Sequence, residues 1–469
     1  MQATKLLRNK NFGQVVFSVF SNIAVLIMSI VVGFLLPKFV SLETYASYRE
    51  FTLYCGYLGL FHIGFINGVY LKYGGKDFEE LPKERFRSYT RFLVLLQLAF
   101  QVILFLCFVP YHINTQSFVT PYTFIILNLF FINLGCYFNL INQFTRRFVI
   151  DGTIQLVQKM TCVIGIVILI LVKNDNYIPY LIILSVANIL AMILAGSYNR
   201  DLVFGKTSGW DFSEIKTMIS HGFFIMISEY MGLIIIGIDS VVINLLFPRT
   251  DFSIYAFAVS LVSVMYQLTT VISKPIFPYL KRQAAERLVK VYDILKEAYI
   301  LFAALISGMA IVFPWLISTF ITKYSDSISI LQILAVTVIF KAVHELLFGN
   351  YFKAMSLERL FVRTNLIAVI VALMTDFIAY FVFHSMTAIA IASVISFVIW
   401  YSVTDFMLQK KMQTKCFRGN ILLVIVVAVF FSSTLFSVLL GSIIYFSIIM
   451  ILALEFVMRV KKSIGKLLH

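Results

Sequence analysis

Charge is scarce in this chain. Asp, Glu, Lys and Arg make up 13% of its 469 residues, whereas apolar residues make up 60% and mean hydropathy is +0.92. A water-soluble domain of this length needs a polar exterior, so that shortage excludes an ordinary globular protein. Cysteine is scarce as well. Cys55, Cys107, Cys136, Cys162 and Cys416 are scattered without a Cys-x-x-Cys spacing, and the six His lack a His-Glu-x-x-His spacing. The cysteines read as small packing residues, and neither a metal site nor any other cofactor is expected. A Gly-x-x-x-x-Gly-Lys-Ser/Thr phosphate loop is missing too, which argues against ATP hydrolysis by this chain.

Long apolar runs fill the space that charge leaves. Runs of about 18 residues or more cross the bilayer core as helices, because a helix satisfies its own backbone polar groups in lipid. The expected spans are 12–36, 48–71, 92–109, 122–143, 153–172, 178–198, 217–246, 253–273, 298–318, 328–348, 364–383, 387–407, 420–438 and 443–459. A transmembrane barrel would alternate apolar and polar residues, and stretches such as Ile164 to Val172 do not. The expected fold is an all-α polytopic membrane protein of about fourteen transmembrane helices.

Charge orients those spans. Lys5, Arg8 and Lys10 precede a first span too long for a signal-peptide core, with no small-residue cleavage site after it, so a retained first helix is expected. With the N-terminus in the cytoplasm, external segments hold only Lys38, Arg49, Lys173, Arg249 and Lys323. Lys159 and Lys341 fall inside spans, and the remaining 31 of the 38 Lys and Arg are cytoplasmic. This is the positive-inside pattern, and an even number of spans returns the C-terminus to the same side. The net charge of +15 therefore reads as a topology device and an attraction to anionic membrane lipid, not as a nucleic-acid footprint. A monomer suffices for this arrangement.

The loops between spans are short; the longest external one runs from Pro110 to Pro121. That leaves little room for the extramembrane catalytic site of a glycosyl polymerase. The chain is read as a transporter and not as an enzyme.

An internal repeat supports that reading. At a constant offset of 207 residues Tyr48 falls on Tyr255, Asn142 to Arg146 falls on Gly349 to Lys353, and Asp151 falls on Glu358. Six spans make one unit, which gives a six-helix lobe over 1–205, a second over 206–408, and an appended helix pair with a tail over 409–469. Both units start in the cytoplasm, so the lobes form a parallel repeat about a pseudo-two-fold axis. Two such lobes rocking about a central cavity give alternating access.

Several short motifs resemble a known group. Glu43-Thr44-Tyr45-Ala46-Ser47-Tyr48 follows the first span, and Gly59 to Val69 closes the second. Asn142-Gln143-Phe144-Thr145-Arg146-Arg147 ends the fourth, Gly237-Ile238-Asp239-Ser240 lies in the seventh, and Ala388 to Ser396 opens the twelfth. Over roughly residues 10–460 the chain resembles Wzx-type flippases, the polysaccharide-transporter branch of the multidrug/oligosaccharidyl-lipid/polysaccharide superfamily. That resemblance implies translocation of undecaprenyl-diphosphate-linked oligosaccharide units across a bacterial inner or plasma membrane, for O-antigen or capsule assembly. It also implies a polysaccharide polymerase and glycosyltransferases as partners. The chain departs from the group in its low Ala and Gly content, and Ala46 stands where relatives often place Gly.

Polar residues inside the spans are the candidate site, since a charge in hydrocarbon costs from about 2.5 kcal/mol upward. Lys159, Lys341 and His344 sit near the cytoplasmic ends of spans five and ten, two spans read as corresponding in the repeat. Arg146, Arg147, Lys353 and Lys274 lie close by on the same side. Together they could form a cationic mouth for a diphosphate. The alternative is snorkelling to the headgroups, or a local pair between Lys341 and Glu345. Among the acids, Glu229 and Asp239 are candidates for cation or proton coupling, against a structural pairing. Asp405 and Glu455 read as interfacial. Asn22, His62, Asn67 and Gln267 could hydrogen-bond sugar hydroxyls, or merely bond helix to helix. The competing functions are a cation-coupled multidrug exporter of the same superfamily and a membrane glycosyl polymerase.

Overall fold

A computed structural model describes the backbone of residues 10–115, 119–281, 285–355 and 357–467, and side chains from 16–109, 119–269, 287–355, 357 and 359–461. The described residues form helices and connecting turns, with no strand. Twelve helices are long and apolar enough to cross a membrane. The chain is an all-α, multi-pass membrane protein that divides into two compact units, residues 1–230 and 231–469.

The first unit contains α1 (Lys10–Phe39), α2 (Leu42–Cys55), α3 (Phe65–Tyr73), α4 (Lys83–Thr115), α5 (Pro121–Phe144), α6 (Phe148–Leu171), α7 (Tyr177–Tyr198) and the first half of α8 (Phe212–Leu246). Helix α1 lies along α6, while α6 and α5 both pack on α7. Helix starts carry their chemical signals. Ser41 Oγ accepts from the Thr44 amide at 3.2 Å, Asn176 Oδ1 accepts from Ile178 at 2.9 Å, and Pro121 occupies the first turn of α5.

Connections of the first unit gather at its two ends. The connections after α1 and α6 join where Ser41 N–H donates to Asp175 Oδ1 at 2.7 Å. At the other end Arg87 Nε donates to the Asp201 carbonyl at 2.9 Å, and Arg147 Nη2 donates to the Tyr198 carbonyl at 2.8 Å. Lys83 Nζ lies 2.8 Å from Asp201 Oδ2, and this hydrogen bond holds the Asp201 carboxyl below the usual carboxylate range.

One expected span is broken. The run 48–71 reads as one apolar helix, but the chain leaves α2 at Gly56, makes a tight turn over Leu58–His62, and resumes as α3. Ile63 (φ +48°) and Gly64 (φ +83°) are left-handed there. Glycine decides the break, because a methyl group built on Gly64 would stand 2.3 Å from the Phe223 nitrogen, and one on Gly68 2.1 Å from the Met218 oxygen. The α3 backbone thus lies directly on α8. Freed carbonyls need donors in lipid. Asn133 Nδ2 donates to the Leu58 oxygen at 3.0 Å and Gln97 Nε2 to the Phe61 oxygen at 3.2 Å.

The second unit holds the rest of α8, then α9 (Arg249–Lys281), α10 (Ala285–Ser307), α11 (Met309–Phe320), α12 (Ser327–Ala335), α13 (Thr337–Val343), α14 (Gly349–Ala354), α15 (Glu358–Phe383), α16 (Met386–Met412), α17 (Arg418–Thr434) and α18 (Val438–Leu467). Helices α12 to α14 form one apolar stretch, Ser327–Ala354, interrupted by a turn at Val336 and a wide turn at His344–Phe348. Helix α15 packs on α16, and α10 packs on α13, α17 and α18. The last two helices are therefore anchored in this unit. Tyr445 drives that docking, since its hydroxyl donates to the Ala304 carbonyl at 2.8 Å beside Gly308. The expected thirteenth span is the shorter helix α17.

Candidate functional site

In the first unit α3 and the first half of α8 run side by side and put polar groups on their seam. Asn67 Nδ2 donates to Glu229 Oε2 at 3.2 Å. Further along, the Lys72 ammonium is ion-paired with Glu214, and Arg85 Nη1 lies 3.0 Å from Glu214 Oε1. Glu214 stands in the first turn of α8, where the helix dipole favours a carboxylate. Its side chain is 9% exposed, whereas those of Lys72 and Arg85 are 42% and 47% exposed. These groups open onto a cavity of about 530 Å³ that Thr217 and His221 also line. Two exposed cations share one largely buried carboxylate here and Asp211 lines the same cavity, so an incoming phosphate would have to compete with the acids for the cations' donors.

The second unit holds a buried acid cluster. Asp239 Oδ2 accepts from the Tyr255 hydroxyl at 2.6 Å and from Ser393 Oγ at 3.1 Å, and Oδ1 accepts from the Ser240 amide at 2.5 Å. Asp376 on α15 interacts electrostatically with both Asp239 and Tyr255. It is fully buried, and neither of its oxygens finds a hydrogen-bond partner among the described residues. A carboxylate buried without a hydrogen-bond partner is costly as a bare charge.

The other expected site residues scatter. Lys159 is half-buried on α6 and makes no ion pair among the described residues. At the repeat offset it falls on Leu366 and not on Lys341, so those two lysines are not equivalent. Lys341 pairs with Glu345 at 2.6 Å and lies 5.0 Å over the Tyr266 ring, as the local alternative had it. His344 is packed against Trp400, with ring centroids 3.7 Å apart. Arg147 donates to Asn199 Oδ1 at 3.1 Å and stacks on Phe78. Arg146 and Lys353 are exposed at helix ends. His62 Nδ1 accepts from the Gly64 amide at 3.1 Å and thereby holds the break in the second span. Asn22 Nδ2 returns to the Ser18 carbonyl of its own helix at 2.8 Å, and Gln267 is exposed on α9. The Lys274 side chain lies outside the described residues.

Two features escape sequence reasoning. Lys72, Arg85 and Glu214 sit at span ends, where charge reads as topology; only the break before α3 brings them together. Asp405, read as interfacial, is buried within the protein. It is 3% exposed and accepts from Lys296 Nζ at 2.8 Å, from Tyr292 at 2.6 Å and from Asn420 at 3.1 Å, because α10 and α17 cover it. Glu455 does stand at the surface, 3.6 Å from Arg418.

The family model described as polysaccharide biosynthesis protein matches residues 12–284. Among solved structures, the lipid II flippase MurJ in an inward closed conformation superposes with a TM-score of 0.66 at 14% identity, covering 95% of this chain and 99% of that one. A eukaryotic MATE transporter gives 0.58 at 15% identity, covering 91% and 99%. An inward-facing multidrug resistance MATE family transporter of the MOP superfamily gives 0.56 at 10% identity, covering 84% and 98%. At these identities the likeness is one of fold. No curated protein matches the sequence.

Proposed function

Because the chain belongs to the polysaccharide biosynthesis protein family, we propose that it is a flippase that carries a lipid-linked oligosaccharide between membrane leaflets. The observation that carries this reading is the cavity bordered by Lys72, Arg85 and Glu214. A sugar joined to its lipid through a diphosphate presents paired anionic oxygens, which Arg holds bidentately and Lys as a point charge. The phosphate displaces Glu214 from the two cations, the glycan enters the polar seam past Asn67 and Glu229, and the prenyl tail stays in lipid.

With the positive-inside orientation, loading occurs at the cytoplasmic face and release at the outer one, by alternating access of two lobes. The resemblance to Wzx-type flippases makes an undecaprenyl-diphosphate carrier and an O-antigen or capsular repeat unit the substrate, in a bacterial inner membrane. Asp239 and Asp376 are the coupling site: a cation or proton enters the buried carboxylate pair in one conformation and leaves in the other. Glu229, the other coupling candidate, accepts a hydrogen bond from Asn67 and is read here as part of the substrate seam. A polymerase and glycosyltransferases act before and after it. The drug-exporter reading shares the fold, but the matching family is one of polysaccharide biosynthesis.

The test is a cell that lacks the gene. Lipid-linked repeat units should accumulate on the cytoplasmic leaflet and return to normal on complementation. Normal delivery to the outer leaflet in that cell rejects the proposal.

A further inference from the structure

A cleft of about 930 Å³ lies between α16 and α17 in the second unit. Val398, Phe406, Leu423, Val424, Val427 and Ala428 form its walls. Phe406 and Val424 are both about two-thirds exposed, so the trough opens sideways, toward lipid when the protein is in a membrane.

One end is different. The connection 413–417 closes it, and Lys410 and Lys415 border the opening there. Both lysines are exposed, and neither makes an ion pair among the described residues. The end is also preformed. Gln409 accepts from the Cys416 amide at 2.8 Å and donates to Asp405 Oδ2 at 2.8 Å, which ties the connection to α16. Asp405 does not cancel the lysines, because Lys296 already pairs with it. The opening is left with a net positive charge.

An apolar trough open to lipid, ending in two uncompensated cations at a fixed loop, has the chemistry of an anionic amphiphile. We propose that this cleft is a binding site for an anionic glycerophospholipid of the surrounding leaflet, with an acyl chain in the trough and the phosphate between Lys410 and Lys415. The substrate fits less well. Asp405, Asn420 and Gln409 at the inner wall bond one another and the connection, which leaves Ser402 and Gln413 at the open side as a small polar set for a glycan. Naming the leaflet as cytoplasmic rests on the positive-inside orientation; the site itself does not.

The test is competitive lipid retention by the purified full chain, read by native mass spectrometry with phosphatidylglycerol and phosphatidylcholine of the same acyl composition. Wild type should retain phosphatidylglycerol over phosphatidylcholine by roughly tenfold or more, since each of the two basic residues near a membrane surface contributes roughly fivefold. The double variant Lys410→Gln/Lys415→Gln should bring the two lipids close to parity while still retaining both. Val427→Trp, which fills the trough, should lose both. A control pair on the first unit, Lys206→Gln/Lys216→Gln, removes the same charge elsewhere and should keep the preference.

The proposal is overturned if the Lys410/Lys415 variant keeps its preference, or if the control pair loses as much. It is also overturned if a polyprenyl diphosphate displaces phosphatidylglycerol from wild type but not from the double variant, because the cleft would then belong to the substrate. Transport is not the readout, so any of these failures leaves the flippase reading standing.

Discussion

Arg85 Nη1 lies 3.0 Å from Glu214 Oε1, which joins the first turn of α4 to the first turn of α8. The cation side of the pair is nearly half exposed, so water can replace the carboxylate as the partner of the guanidinium. A diphosphate that offers better-placed oxygens can therefore replace Glu214 without unfolding anything. Lys72 is paired with the same carboxylate and adds a second positive charge beside it.

Arg85→Gln and Lys72→Gln should each lower transport about tenfold or more, with protein level unchanged, because a charge-assisted hydrogen bond contributes about 1.5–3 kcal/mol. Glu214→Gln removes the competitor, so it should tighten substrate binding and slow release. Binding of labelled lipid-linked substrate to purified variants checks the opposite signs.

The glycine crossing of α3 and α8 should be intolerant of a single methyl group. Gly64→Ala and Gly222→Ala should each cost about 1–3 kcal/mol by overpacking, with further strain at the positive φ of Gly64. Gly232→Ala, where nothing lies within 4 Å, should be neutral or slightly stabilising. Thermal denaturation in one detergent distinguishes the three.

How far the sequence carried differs between elements. The α6 and α7 spans were legible because uninterrupted apolar runs have one outcome in lipid. The break at 56–64 was not, since Gly59, Gly64 and Gly68 look like tolerated small residues until Tyr230, Phe223 and Met218 approach them from far along the chain. Asp239 was identifiable as a charge deep in a span. Asp376 stands far along the chain, and sequence spacing could not bring α15 to α8. Lys341 shows the reverse: an intramembrane lysine drew attention, and its local partner Glu345 was enough to satisfy it.

Removing one partner of the buried Lys296–Asp405 pair should be far worse than neutralising both. Lys296→Met leaves a buried carboxylate without its cation and should cost about 3–5 kcal/mol, whereas Lys296→Met with Asp405→Asn should recover most of that loss. Unfolding midpoints of the single and double variants give the comparison. An equal loss in both would mean that the pair's charge is not what its surroundings hold.

Asp239→Asn and Asp376→Asn should uncouple rather than empty the carrier. Each variant should still bind lipid-linked substrate but lose at least tenfold of the transport that an imposed cation or proton gradient drives. Gradient-driven uptake compared with substrate binding on the same preparation separates coupling from folding.

The most direct measurement reconstitutes the purified protein in vesicles and follows the appearance of a short-chain, diphosphate-linked oligosaccharide lipid on the opposite leaflet. Wild type should translocate it, and Lys72→Gln/Arg85→Gln should fall to the protein-free rate while keeping the wild-type melting temperature. Equal translocation by the double variant and wild type would contradict the cationic site, and no translocation by wild type above protein-free vesicles would contradict the flippase itself.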